Sequence, residues 1–202
     1  MTEQAEQTEQ AEGRPRNPGR KAAARNRAAL VAAAREIFTE HGLDAPLSVI
    51  ARRAGVGQGV LYRHFPDRES LAIAVLEENV RHIEVAADAK GATLAGVLGV
   101  LTWHLTESAG FLTLLHSKET GTRSGVLAYA HAVQDRVRHA LGRHLTGGDG
   151  GRLGTLDDVM LAVIMVAGAV RSSTREEREE RALAAWRLLG VTVGPPPVPP
   201  CC

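Results

Sequence analysis

The sequence predicts an all-α chain of about nine helices, a three-helix N-terminal unit followed by a larger helical body. Three observations carry that expectation. Aromatic residues make up only 3% of the chain while Ala, Leu, Arg, Glu and Val dominate, which favours helix over strand-rich sheet. Apolar residues recur at three- and four-residue spacing from Leu30 onward, as helices with one buried face require. Gly- and Pro-containing stops separate the periodic stretches. At 44% hydrophobic and 23% charged, the 202 residues can bury a core, which excludes bulk disorder.

The elements follow in order. Residues 1–19, rich in Gln and Glu and then in Pro, Gly and Arg, are expected to form a disordered arm. From Lys21 a helix begins; Leu30, Ala34, Ile37, Phe38 and His41 share one face, and Gly42 ends it. Asp44 is expected to cap a short second helix, with Pro46 in its first turn and Leu47, Ile50, Ala51 and Ala54 inward. Gly55 stops it. A third helix, Gln58 to Phe65, turns Leu61 and Phe65 inward and is broken by Pro66. Asp67 then caps a long helix through Leu71, Val75, Leu76, Val80, Ile83 and Ala87, ending near Gly91.

Helices are also expected from Thr93 to about Ser108, over the short piece Phe111 to Lys118, and from Val126 to Leu145. Thr155 or Asp157 should cap an apolar helix reaching Val170, and residues 174–189 form the last one. The tail GPPPVPPCC cannot be helical. The expected organisation is thus an arm (1–19), an N-terminal domain (20–68), a helical body (69–190) and a disordered tail (191–202). The apolar run Val159 to Val170 is shorter than the about 20 residues a membrane span needs, so it reads as a buried helix. A polar N-terminus without a signal-peptide core, and two adjacent cysteines that frame no fold, fit a cytoplasmic protein.

Charge is unevenly distributed. The net charge of +1 combines −4 over residues 1–13, +7 over residues 14–68 and −2 over the remainder. A basic N-terminal third on a mildly acidic body points to a polyanionic partner for that third alone.

The informative stretch is APLSVIARRAGVGQGVLYRHFPDRESL, residues 45–71. Two short helices joined by Ala54-Gly55-Val56-Gly57 make a helix-turn-helix, whose second helix enters the major groove of DNA. With Leu61 and Phe65 inward, Gln58, Gly59, Val60, Tyr62, Arg63 and His64 remain for the outside. Gln reads adenine edges, a Val methyl meets thymine, and Gly lets the backbone come close. Tyr, Arg and His suit phosphates. Arg52 and Arg53 read as a solvated face, and Arg20, Lys21, Arg25 and Arg27 as a basic entry to the first helix.

The run IARRAGVGQGVLYRHFPDRESL, with the helix Ala28 to His41 before it, resembles the DNA-binding domain of TetR-family bacterial repressors. The resemblance lies in Ile50-Ala51, Ala54-Gly55-Val56, the Tyr62-Arg63-His64-Phe65 end of the recognition helix, Arg68 and Leu71, and it covers about residues 21–75. Three positions depart from the family pattern. Gly57 stands where Ser or Thr is common, Val60 where Thr or Ala is common, and Arg68 where Lys is usual.

The resemblance implies duplex contacts by Arg25, Ser48, Gly57 and Arg68 beside the recognition-helix residues. It also implies release from the operator by a small organic ligand; the apolar last two helices, and the few bases that one recognition helix reads, point to a homodimer on a palindromic operator, and no cofactor or metal is expected. Candidate ligand contacts are Trp103, His104, Glu107, Phe111, His116 and Tyr129. Candidate dimer contacts are Met160, Ile164, Met165, Gly168, Leu183 and Trp186 on the last two helices.

Rival readings explain less. His131, Asp135 and His139 share a helical stripe, but nothing completes a metal set, so they read as a solvated face. GVGQG follows a helix rather than a strand and is no dinucleotide turn, and the chain has no nucleophile elbow or phosphate loop, so an enzyme is not expected. A helical interaction module, or a regulator without a small-molecule effector, accounts for the C-terminal helices; the first of these leaves the basic third unexplained.

Overall fold

The structure, a computed structural model, describes residues 18–107, 124–145, 153–170 and 174–194. Helix α1 spans Pro18–His41, starting on a proline whose fixed φ and missing N–H suit a first turn. Gly42 closes it at φ 79°, in the left-handed region. Helices α2 (Leu47–Arg53) and α3 (Gln58–His64) follow, and Gly55 turns between them at φ 68°. Val56 N–H donates to Ala51 O, which satisfies a carbonyl at the end of α2.

Helix α4 (Arg68–Asp88) opens on a capping box: Ser70 N–H donates to Asp67 Oδ1 at 2.7 Å, and the Ser70 hydroxyl lies within reach of Asp67 N–H. Helices α5 (Leu94–Glu107), α6 (Ser124–Gly142), α7 (Leu156–Ala169) and α8 (Arg175–Leu188) complete the described residues, all of whose regular elements are helical. Thr155 caps α7 and Thr174 caps α8.

The expected cap of α2 is corrected. Pro46, not Asp44, occupies the cap position, and it has no side chain to bond. Asp44 instead sits near Arg68, its Oδ1 3.6 Å from Arg68 Nη1. The arm before residue 18, the short helix expected over Phe111 to Lys118 and the tail from residue 195 lie outside the described residues.

Two clusters of buried side chains organise the molecule, and α4 belongs to both. Leu71 to Leu76 pack with Leu30, Ile37, Phe38, Ile50, Leu61 and Phe65 in the N-terminal cluster. Val80, Ile83 and Ala87 pack with α5, α6, α7 and α8, around Leu98, Leu141, Val159 and Trp186. One rigid helix therefore spans the unit that carries the turn and the body behind it. Polar links fasten α4 to α6: Arg136 forks to Glu77 and Glu84, with contacts of 2.8 and 2.7 Å, and the Tyr129 hydroxyl donates to Glu77.

Candidate nucleic-acid interface

The short α3 is held by two anchors. Leu61 and Phe65 are buried in the cluster formed with α1, α2 and α4, so the rest of the helix is left on the surface. Gln58, Gly59, Tyr62 and Arg63 are exposed, Tyr62 at 53%, while Val60 and His64 are half-buried. An exposed tyrosine of that size beside a basic turn is unusual for a core aromatic and suits contact with a large partner. A Cβ built on Gly57 or on Gly59 meets nothing within 4 Å, so neither glycine is demanded by the protein's own packing. At Gly59 the bare backbone leaves room for an incoming surface.

Around this helix lie basic groups in different states. Arg25 and Arg52 are exposed, as is Ser48 in the first turn of α2. Arg27 lies over the Phe65 ring at 5.2 Å, tying α1 to the end of α3 by a cation–π contact. Arg63 Nε donates to Gly59 O, one turn back. Arg53 is bound inward to Glu36 at 2.6 Å and Glu40 at 3.3 Å, and these bonds raise its pKa. Arg68 is turned toward the loop before α2: its Nη2 donates to Ala45 O at 3.1 Å. That contact braces the α1–α2 loop against α4.

A second group of functional candidates lies inside. Trp103, His104 and Glu107 come together on α5, facing α1 and α4. His104 is 4% exposed, and its pKa is pushed down to about 3, first by burial and then by the charge of Arg35 and by His82. It is therefore a neutral imidazole. Among the described residues neither of its ring nitrogens has a hydrogen-bond partner, and the same holds for Trp103 Nε1 and for Nε and Nη2 of Arg35. Tyr129 lies apart from them, on the α4–α6 seam. Phe111 and His116 are outside the described residues. Arg35 and His82 were missed by sequence reasoning, because a lone Arg or His in an amphipathic helix carries no mark of burial.

The third candidate face corrects two expectations. Met160 and Trp186 are buried within the protein's own core, and Trp186 Nε1 donates to Thr102 Oγ1 at 2.9 Å. Both are therefore spent on the α5–α7–α8 packing. The exposed face of α7 is Leu161, Ile164, Met165 and Gly168, with Leu183 and Leu188 exposed on α8. Among the described residues no group of three His, Cys, Asp or Glu side chains is placed to hold a metal ion. No helix among them is long and apolar enough to cross a membrane.

Comparison with known proteins converges on the same region. The family described as bacterial regulatory proteins, tetR family, matches residues 30–75. The A-factor receptor protein of Streptomyces griseus is 39% identical over 56 residues, which are 27% of this chain and 20% of the relative. An HTH-type transcriptional regulator of Staphylococcus aureus (strain bovine RF122 / ET3-1) is 36% identical over 62 residues, 30% of this chain and 34% of the relative. The chain thus aligns with about a third or less of the length of these two relatives. Similarity of fold runs much further. The crystal structure of a TetR transcriptional regulator from Streptomyces coelicolor superposes with a TM-score of 0.58 at 26% identity, covering 81% of this chain and 96% of that one. The segment matching the tetR family falls on the glycine turn and its two anchored helices, and the helical body behind it is similar in fold to that of a TetR transcriptional regulator.

Proposed function

We propose that the protein is a sequence-specific DNA-binding transcriptional regulator, a homodimeric repressor released from its operator by a small organic ligand. The observation that carries this reading is α3: a two-turn helix pinned by Leu61 and Phe65, with Gln58, Gly59, Tyr62 and Arg63 exposed, on a segment of net charge +7. A helix held that way enters the major groove with its polar side outward. Gln58 reads a base edge, while Tyr62, Arg63, Ser48 and Arg25 hold phosphates and set the register.

One such helix reads few bases, so a palindrome and a two-fold partner are needed. The half-sites then lie about 34–36 Å apart or a multiple of that. The exposed apolar residues Leu161, Ile164 and Met165 of α7, with Leu183 and Leu188 of α8, supply a self-complementary face for that partner. An effector acts only by binding one arrangement of the two α3 helices better than the other. Helix α4, shared between both cores, transmits the difference.

The test is duplex binding across a salt series with a selected operator. Tyr62→Ala should weaken binding to all sequences alike, since phosphates carry no sequence information. Gln58→Ala should relax discrimination at one base pair by about 1–3 kcal/mol. Operator binding by both variants equal to that of the parent protein overturns the assignment of α3.

A further inference from the structure

Three helices meet where α1 crosses α4 and α5, and the side chains there are unlike the apolar packing on either side. Thr39 on α1 donates to Glu107 O at 2.7 Å, which fastens α1 to the end of α5. One helical turn earlier on α1, Arg35 carries Nε and Nη2 buried without partners. From α5 come Trp103 Nε1 and both nitrogens of His104, equally buried and, among the described residues, equally without partners. The His104 ring meets the Trp103 ring edge-on, with centroids 4.6 Å apart, and lies 5.2 Å from the tilted His82 ring of α4. Arg35 is near enough for its charge to act on both imidazoles.

The carboxylates around Arg35 are each committed elsewhere. Glu36 is bound to Arg53 at 2.6 Å, Glu78 to Arg81 at 3.2 Å and Glu107 to Arg175 at 2.7 Å. Arg35 is left as a largely buried cation without an ion pair among the described residues. A buried charge is tolerated where something pairs it, and an unpaired buried donor in a native fold calls for an occupant. The donors here, from Arg35, Trp103 and one nitrogen of neutral His104, outnumber the acceptors, which are the second imidazole nitrogen and Glu107 Oε1, and that oxygen is already ion-paired to Arg175. Water, which donates as much as it accepts, matches that set poorly. An anionic oxygen pair matches it well, because a carboxylate only accepts and pairs with guanidinium through two bonds.

We propose that the junction of α1, α4 and α5 binds the carboxylate of a small organic molecule, with Arg35 as counter-charge and Trp103 and His104 as hydrogen-bond partners. The inference rests on the ligand-responsive reading above and supplies the ligand class and the route of its effect. Arg35 rides on the same helix that holds Arg27 against Phe65 at the end of the recognition helix. A carboxylate drawn to Arg35 therefore acts on α1 directly, in addition to acting through α4, whose His82 lines the same junction.

The experiment uses the full chain and a panel of hexanoate, octanoate and decanoate with the matching alcohols and amines. Binding is read from Trp103 fluorescence and from calorimetry, and duplex affinity is measured separately on the same samples. Carboxylates should bind saturably and alcohols and amines should not. Arg35→Gln should weaken carboxylate binding about tenfold or more, the loss of a charged hydrogen-bond pair, and Arg35→Lys should restore part of it. Trp103→Phe, which keeps the ring, gives a second arm by calorimetry should the Arg35 variants fail to fold. Alcohols that bind as tightly as acids, acids that do not bind, or an Arg35→Gln protein that binds them like the parent overturn the proposal. Acid binding that leaves duplex affinity unchanged upholds the site and overturns the effector reading. Absence of duplex binding in the unliganded parent overturns the regulator reading and leaves the carboxylate site standing.

Discussion

Between Leu30 and Leu76 every fully buried side chain among the described residues is apolar, whereas beyond that point Asn79, Thr102, His104, Thr106 and Arg178 share the interior. The N-terminal unit keeps its polar chemistry outside, on Gln58, Tyr62 and Arg63, where a large surface such as a duplex can reach it. The body keeps much of its polar chemistry inside. Some of those groups are satisfied by structure: Arg178 Nε donates to Thr106 O at 2.7 Å, and Thr102 takes the Trp186 indole while donating to Leu98 O. Among the described residues nothing satisfies His104, which sets it apart from the polar groups that packing alone accounts for. The contrast teaches that a rigid apolar core suits presentation, while a polar interior suits response.

The largest expected effect breaks the apolar side of that contrast. Phe38 is fully buried on α1 among Leu30, Ile50, Leu61 and Phe65. Phe38→Ala should cost about 3–5 kcal/mol, the transfer loss plus a cavity that these neighbours cannot fill. Denaturant unfolding should show the loss, and duplex binding should fall with it because Leu61 and Phe65, which anchor α3, pack in the same cluster. A Phe38→Ala protein with parental stability would mean that the N-terminal cluster is loosely packed.

The next effect sharpens the polar side, and its sign is opposite. His104 titrates near 6.5 when unfolded and near 3 when folded. As pH falls below 6.5 the unfolded chain takes up a proton that the folded chain refuses, so stability declines. It is fully present above about 6.5 and lost progressively toward 3. Between pH 6.5 and 5 the loss should approach about 2 kcal/mol. His82, lowered mainly by burial, adds in the same direction. His104→Leu removes the orphaned nitrogens, and should leave stability at pH 7.5 unchanged or raised while flattening the acid slope. Equilibrium unfolding at pH 7.5, 6.5 and 5.5 checks both points, and an unchanged slope in the variant would show that His104 takes up its proton inside the fold.

Much of the N-terminal unit was legible because its signals are local. Gly55 marks the turn, Leu61 and Phe65 mark the inner side of α3, and Asp67 marks the start of α4; each does in the fold what its residue type suggests. The body was less legible for a physical reason. Helix α7 is apolar nearly all round, so its sequence does not say which side meets the core. Met160 turns in and Leu161 out, a choice made by the packing of α6 and α8. Arg178, in the highly charged start of α8, reads as solvent-facing yet is buried on Thr106. Arg35 is hidden in the same way, since only the crossing of α4 and α5 over α1 takes it out of water.

Smaller still is the cost of filling the turn. Gly55 has φ 68°, and a Cβ there would meet nothing within 4 Å. Space is therefore no obstacle, and Gly55→Ala isolates the backbone strain alone, at about 1 kcal/mol. Thermal unfolding measures it. A loss much above that value would mean that the two short helices move apart rather than simply strain.

The smallest effect is a gain, and it falls on a departure from the family pattern. Gly57 is the cap of α3, with φ −71° in the extended region and no side-chain bond to the first turn. Any residue adopts that conformation, and the position has open space around an added Cβ. The Val60 and Leu61 amides already donate to Gly57 O, so the first turn lacks only a side-chain acceptor. Gly57→Ser supplies one. The gain should be a few tenths, about 0.3 kcal/mol, because Gly is itself only slightly worse than Ser at a cap. The same hydroxyl lies at the outer mouth of the turn, beside Gln58 and Tyr62, where it can donate to a phosphate. Affinity for random duplex should therefore rise with stability, while discrimination between operator bases stays as it was, since a phosphate contact carries no sequence information. A serine variant that gained stability but lost duplex affinity would place the duplex against the Gly57 backbone itself, and would move the interface closer to the turn than the exposed face of α3 suggests.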